Sequence, residues 1–262
     1  MIMKHIESAV QKVRDLGYRP VYAALYGSQN YGLDVYSDDY QSDYDVKIVV
    51  MPSLHDMVFK GSQVSMSIEY EGGLIDIKDP ISMTSIIAKM NPQYLEILQT
   101  PFYMVYPGGE YMEDLRDMLP QMLTERASLF AKASYGMFQT KISEAQKITP
   151  ASEDKIRQFG YHGKPLHHAL RLKLMLEDFE KTMKVVLHPS IQHLDLLAKL
   201  KRNEVPLDDA VTMSQQWWKD ITDCANRIIA THGDPEGMSF EEAVHKTRQA
   251  LYLALKSEAG IS

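Results

Sequence analysis

Apolar and polar positions follow two different periods in the two parts of the chain. Residues 6–16 (IESAVQKVRDL) carry apolar side chains at helical spacing, and Gly17 is placed to end that helix. Residues 21–26 (VYAALY) are short, apolar and partly β-branched or aromatic, which predicts a strand. Residues 45–50 predict the next strand, stopped by Pro52, and the Gly, Ser, Asp and Tyr between 30 and 42 predict an exposed loop. A turn of helix over 55–60 is followed by 63–70 (QVSMSIEY), which alternates as a strand with one wet face does. Gly72-Gly73 then fits a hairpin turn, with 74–78 (LIDIK) as the returning strand. These periods imply an α/β (α+β) unit, a small mixed sheet with the first helix packed against it.

From Ser82 the period becomes helical. Ile86, Ile87 and Met90 predict one helix, broken at Asn91-Pro92, and residues 94–98 predict another. Pro101 and Pro107-Gly108-Gly109 place a boundary between 100 and 110 and divide the chain into residues 1–105 and a mainly helical C-terminal domain, 106–262. Helices are expected over 112–119, 122–147, 164–188, 191–201, 214–232 and 240–257, punctuated by prolines at 150, 165, 189, 206 and 235. No internal repeat is present.

Composition changes this picture little. No run approaches 18 apolar residues and the N-terminus lacks a signal-peptide pattern, so a cytoplasmic chain without membrane association is expected. The one cysteine, Cys224, excludes an internal disulfide and suits a reducing compartment. A net charge of -7 argues against broad, charge-driven nucleic-acid binding, while allowing a local basic patch. Nothing in the pattern sets an oligomeric state.

Candidate chemistry centres on residues 25–50, LYGSQNYGLDVYSDDYQSDYDVKIVV. In a strand, residues two apart share a face, so Asp43 and Asp45 place two carboxylates side by side. Like charges that close raise one another's pKa unless a cation lies between them. Gly27-Ser28, after the first strand, is placed to offer backbone N–H groups to a phosphate. Asp76, between Ile75 and Ile77, points opposite to the isoleucines; it faces either water or the same cation. Spacing alone favours a solvated loop for Asp43-x-Asp45, and the flanking apolar strands with Gly27-Ser28 and Asp76 turn the reading towards a site. Three carboxylates on one sheet face would suit Mg²⁺, which prefers few protein oxygens together with waters and substrate phosphates.

Gly27-Ser28, Ser42-Asp43-Tyr44-Asp45 and Asp76, in that order, resemble the glycine-serine, aspartate-x-aspartate and third-aspartate pattern of the DNA polymerase beta-like nucleotidyltransferase superfamily. Within it the chain looks most like the YcgL-like and RNA-repair-pathway polymerase beta nucleotidyltransferases of bacteria and phages. Asn91-Pro92 with Leu95-Glu96, Lys164-Pro165 and residues 167–172 (HHALRL) carry that closer likeness, which spans roughly residues 20 to 180. The chain departs from the family at Gln29-Asn30, where members often have Arg-Ala, and in a longer spacer with three extra acids, Asp34, Asp38 and Asp39.

The resemblance implies a nucleotidyltransferase core whose helical domain closes the nucleotide cleft. It implies metal-dependent transfer of an NMP from an NTP to an acceptor hydroxyl, with release of pyrophosphate. Asp43, Asp45 and Asp76 would hold two Mg²⁺ (or Mn²⁺) ions, and Asp76 would help remove the acceptor proton. Gly27 and Ser28 would grip the triphosphate. Lys164, His168 and Arg171 would give a basic helix stripe facing the nucleotide, or else an ordinary charged helix face. RNA or tRNA is the acceptor the likeness favours. Protein adenylylation, small-molecule transfer and a catalytically idle nucleic-acid-binding scaffold are the alternatives.

The remaining candidates carry less. Trp217-Trp218 read as core packing with surface cover, or as a stacking platform. His188, His193 and His232 lack zinc-ligand spacing, and neither a Walker loop nor a dinucleotide-binding glycine fingerprint is present.

Overall fold

The computed structural model describes residues 2–33, 42–59, 64–233 and 239–260. The acidic spacer with Asp34, Asp38 and Asp39 lies outside them. In chain order the elements are α1 (Ile2–Asp15), β1 (Arg19–Tyr26), β2 (Asp45–Met51), α2 (Leu54–Phe59), β3 (Ser65–Tyr70), β4 (Gly73–Lys78), α3 (Pro80–Ala88), α4 (Pro92–Leu95), β5 (Tyr103–Val105) and α5 (Tyr111–Glu125). The helices α6 (Ala127–Gln146), α7 (Glu153–Phe159), α8 (Gly163–Thr182), α9 (Ile191–Lys201), α10 (Leu207–His232) and α11 (Ser239–Glu258) complete the chain. An N-terminal mixed-sheet domain is thus followed by a largely α-helical region. The chain forms two compact units: residues 1–122 with 237–262, and residues 123–236. Among the described residues no helix is long and apolar enough to cross a membrane.

In the first unit the strand order is β3-β4-β2-β1-β5, with β2 parallel to β4 and the other pairs antiparallel. The side chains Ile6, Ala9, Val10 and Val13 of α1 recur at helical spacing and are all buried against one sheet face. That face is Ala23, Leu25, Val46, Ile48, Val50, Ile75 and Ile77. Each fully buried Val, Ile or Leu there stabilises by about 1.5–3 kcal/mol. Alternate residues of the same strands therefore present the opposite face, which carries the polar groups. The edge strand β3 alternates between exposed and half-buried positions. The short strand β5, flanked by Pro101 and Pro107, pairs with β1 through Tyr22, Ala23 and Ala24 where the sequence suggests only a break.

In the second unit α6, α8, α9 and α10 pack together, with the Phe130 and Phe179 rings 4.5 Å apart. The short helix α7 has no counterpart in the periodicity, and helix boundaries differ from it at three further places. The expected 122–147 helix is two, since Arg126 leaves helical geometry (φ -121°, ψ 27°) between α5 and α6. Met183 takes a left-handed conformation (φ 54°) and ends α8 at Thr182. Asp208 and Asp209 suit the positive end of a helix, and α10 starts directly after Pro206. Trp217 is buried, whereas Trp218 is exposed and packs edge-on against Tyr135 and Phe138. The Cys224 thiol is buried, pushed up to about 12 first by that burial.

Candidate functional site on the polar face of the sheet

The strand register assembles the polar face. Tyr26 of β1 stands opposite Asp45 of β2, and Lys47 of β2 stands opposite Asp76 of β4. Asp43 precedes the strand and is exposed, Asp45 is half-buried and Asp76 is buried. Between the first two, Tyr44 turns the other way and stacks on His5 of α1, with ring centroids 4.0 Å apart. The period of two thus holds for Asp43 and Asp45.

Two glycines at positive φ flank Asp45. Gly27 (φ 89°, ψ -156°) would, with a side chain, bring its Cβ 3.3 Å from Asp45 Oδ2. Gly73 (φ 147°) would bring one 3.0 Å from Asp45 Oδ1 and 3.0 Å from Asp43 Cβ. The Leu74 N–H donates to Asp45 Oδ1 (3.0 Å), and the Tyr44 N–H donates to the Gly72 carbonyl (2.7 Å). The β3–β4 hairpin is thereby tied to the Asp43–Asp45 segment.

Asp76 lies in a different setting from its two neighbours. Its Oδ2 accepts from Lys47 Nζ (3.1 Å) and Tyr94 Oη (2.7 Å), and its Oδ1 accepts from Lys78 Nζ (2.7 Å). Lys47 Nζ also lies 3.6 Å from the Tyr26 ring centroid and 4.3 Å from that of Tyr94. Burial pushes Asp76 up, but the Lys47 charge and the bonds from Lys78 and Tyr94 outweigh it, leaving the carboxyl below its usual range. Burial lowers Lys47, which the Asp76 charge opposes, and burial followed by Asp45 raises the Tyr26 phenol. Among the described residues no group of three or more His, Cys, Asp or Glu side chains is arranged to hold a metal ion. Asp43 and Asp45 carry carboxylate oxygens, the hard donors that divalent cations take. Asp76, occupied by two ammonium groups, does not offer itself as a third ligand in this arrangement.

The Gly27 turn has a partner that spacing did not indicate. Buried Glu96 accepts from the Gly27 N–H (2.7 Å), from Asn30 Nδ2 (2.9 Å) and from the Tyr31 hydroxyl. Arg116 braces the same segment by donating to the Ile97 (3.1 Å) and Thr100 (3.0 Å) carbonyls. The Gly27 amide is therefore committed to Glu96 and is not an open phosphate donor. Ser28 opens a short 3₁₀ turn and is half-buried.

Lys164, His168 and Arg171 all lie on α8, in the other compact unit. Lys164 and His168 line one cavity, whereas Arg171 is buried and is not part of that lining. His167 is buried too, its Nδ1 2.9 Å from the Leu197 carbonyl of α9, and it is lowered to about 4 chiefly by burial. The polar groups on this face that sequence reasoning passed over are Lys47, Lys78, Tyr26 and Tyr94, and the likeness that names Glu96 gives no sign of its contact with Gly27. Lys47 and Lys78 each follow an aspartate by two residues, which is the signal that places them on its face. Compared with protein-family models and with curated proteins, the chain matches none.

Proposed function

We propose that the polar sheet face is a nucleotidyl-transfer centre, moving an NMP from an NTP to an acceptor hydroxyl with release of pyrophosphate. The observation that carries this reading is the adjacency of β1, β2 and β4. It sets the Gly27-Ser28 turn, the Asp45 carboxylate and Asp76 side by side on one face. The order of these elements along the chain is that of the DNA polymerase beta-like superfamily it resembles.

Asp43 and Asp45 would hold Mg²⁺ or Mn²⁺, which when bound supplies positive charge to the triphosphate and lowers the pKa of an acceptor hydroxyl. Asp45 is kept in line by the Leu74 N–H, and the absence of side chains at Gly27 and Gly73 leaves its carboxylate uncrowded. The Ser28 hydroxyl, at the mouth of the turn, would donate to a phosphate oxygen, with Glu96 holding the turn in shape. Asp76, ionised and doubly paired, is a weak proton acceptor as it stands; its role is to seat Lys47 beneath the site. RNA or tRNA is the leading acceptor, and a partner protein is the second.

A catalytically idle nucleotide-binding role is the rival reading, and the Lys47–Asp76–Lys78 arrangement favours it. Incubation with each α-labelled NTP, Mg²⁺ or Mn²⁺ and a host lysate separates the two. Label entering RNA, protein or a small molecule, and lost with Asp45→Asn, supports transfer and names the acceptor class. Metal-dependent nucleotide binding by calorimetry without any labelled product supports the idle reading.

A further inference from the structure

A single residue, Tyr44, joins the two carboxylates of the sheet site, and the sheet unit holds it on three sides. Its N–H donates to the Gly72 carbonyl (2.7 Å), and its own carbonyl accepts from the Tyr70 hydroxyl of β3 (2.6 Å). Its buried ring lies flat on His5 of α1, the two planes 6° apart. The N–H belongs to the peptide group shared with Asp43, and the carbonyl to the one shared with Asp45. Each peptide group is planar, so anchoring both sets the direction in which the chain leaves Tyr44 towards either carboxylate. One residue further back, the Ser42 carbonyl accepts from Gln29 Nε2 (3.1 Å), which ties the segment to the turn after β1.

These contacts are built around Gly72. A Cβ there would lie 2.8 Å from Tyr70 Oη, 2.9 Å from Tyr70 Cζ and 3.0 Å from His5 Nδ1. The Tyr70 hydroxyl and the His5 ring therefore converge on the same small space, which only a residue without a side chain leaves open. Gly72 is not in the left-handed region, so room and not backbone conformation is what excludes a side chain there. The Tyr70 ring already packs on the apolar core, and what its hydroxyl adds is the bond to Tyr44.

We propose that His5 and Tyr70 are positioning residues for the divalent cation. Acting through Tyr44, they hold Asp43 and Asp45 in fixed relation to one another, so that both carboxylates serve one ion. The inference rests on the nucleotidyl-transfer reading and deepens it by naming what keeps the cation-bearing segment in shape. His5 stacks on a side chain that turns away from the polar face, so it acts on the ion only through the chain. Outer partners of this kind matter to metal ligands, and their loss typically costs about 10–100-fold in affinity.

The test is calorimetry of Mn²⁺ binding to the full chain without nucleotide, with circular dichroism to show that each variant is folded. Wild type should bind Mn²⁺, and Asp45→Asn should lose it. Tyr70→Phe, which removes only the hydroxyl, and His5→Ala should each weaken Mn²⁺ about tenfold. His5→Phe keeps a ring against Tyr44 and should restore affinity to within about twofold of wild type. Gly72→Ala should act as Tyr70→Phe does, since its methyl displaces the hydroxyl. Val10→Ala is the control: it loosens the packing of α1 on the same sheet and should lower the urea midpoint while leaving Mn²⁺ affinity within about twofold. Undiminished affinity in folded Tyr70→Phe or His5→Ala, or an equal loss in Val10→Ala, would overturn the proposal and leave the cation site standing. A wild-type chain that binds no Mn²⁺, or Asp45→Asn that binds it undiminished, would overturn the proposal together with that site.

Discussion

Lys47 Nζ sits 3.1 Å from Asp76 Oδ2 on the neighbouring parallel strand, with both side chains buried. Taking away one member of such a pair strands the other's charge in a poorly solvated place, at a typical cost of about 3–5 kcal/mol. Lys78 and Tyr94 still hold Asp76 when Lys47 is gone, so Lys47→Met should fall at the lower end, about 3 kcal/mol. Asp76→Asn should cost a comparable amount, and the double variant should cost less than the sum. Urea unfolding of the four proteins measures this, and strict additivity would show that the two groups are not coupled.

Glu96 gathers three donors from the turn after β1, so its removal should be felt there first. Glu96→Ala takes away the acceptor shared by the Gly27 amide, Asn30 Nδ2 and the Tyr31 hydroxyl and should cost about 3 kcal/mol or more. Glu96→Gln keeps an acceptor oxygen, and the Tyr31 hydroxyl can rotate to accept from the new amide, so about 1 kcal/mol is expected. Denaturant midpoints of the two variants should differ accordingly; equal midpoints would remove Glu96 from this role.

Gly27→Ala and Gly73→Ala probe the space around Asp45. Gly27 occupies a region of backbone conformation open almost only to glycine, where another residue costs about 1–3 kcal/mol. Gly73→Ala would push a methyl to 3.0 Å from Asp45 Oδ1 and so move the carboxylate. Both variants should lose label transfer at least tenfold while the helical content by circular dichroism holds. Full transfer by either would show that Asp45 needs no such clearance.

Acid should act on the two units in different windows. His167 has its folded value lowered to about 4 from an ordinary 6.5, so the unfolded chain takes up a proton first as pH falls. Its contribution is complete above pH 6.5 and is lost on going down towards 4, a change of roughly 3 kcal/mol. Asp76 is also lowered, from an ordinary 3.8, so its contribution is complete above that value and disappears only as pH falls further. Both tryptophans, Trp217 and Trp218, lie on α10 in the helical unit. Urea titrations followed by tryptophan fluorescence should therefore show a midpoint falling from pH 6.5 to 4.5. His167→Gln should reduce that dependence, to which His168 and His162, both lowered chiefly by burial, add their own share, and an unchanged slope would exclude His167 as a source.

Much of the sheet was legible because its rule is local. The period of two set Asp43 and Asp45 on one side and Tyr44 on the other, and it turned Asp76 away from its isoleucines. The same arithmetic applies to Lys47 and Lys78, yet a lysine in a strand reads as a side chain reaching for water. Only the parallel register of β2 with β4 brings Lys47 opposite Asp76, and parallel pairing leaves no mark in adjacent residues. The Glu96 contact with Gly27 spans 69 positions and was illegible for that reason. On α8, spacing placed Lys164 and His168 on one wall. The opposing Lys141 and Lys147 come from the far end of another helix and its following turn, which no helical wheel of α8 reveals.

The last helix has a consequence for how the protein is made. Thr247 of α11 meets Thr84 of α3 at 2.9 Å, both hydroxyls buried, so α3 is completed by residues that come after the whole of 123–236. A ribosome adding about 5–20 residues per second needs on the order of ten seconds to cross that interval. During this time the α3 surface stands uncovered on the nascent chain, and chaperone capture or aggregation competes with completion of the sheet unit. Synonymous codons that slow translation between residues 123 and 236 would prolong that exposure without altering a single side chain.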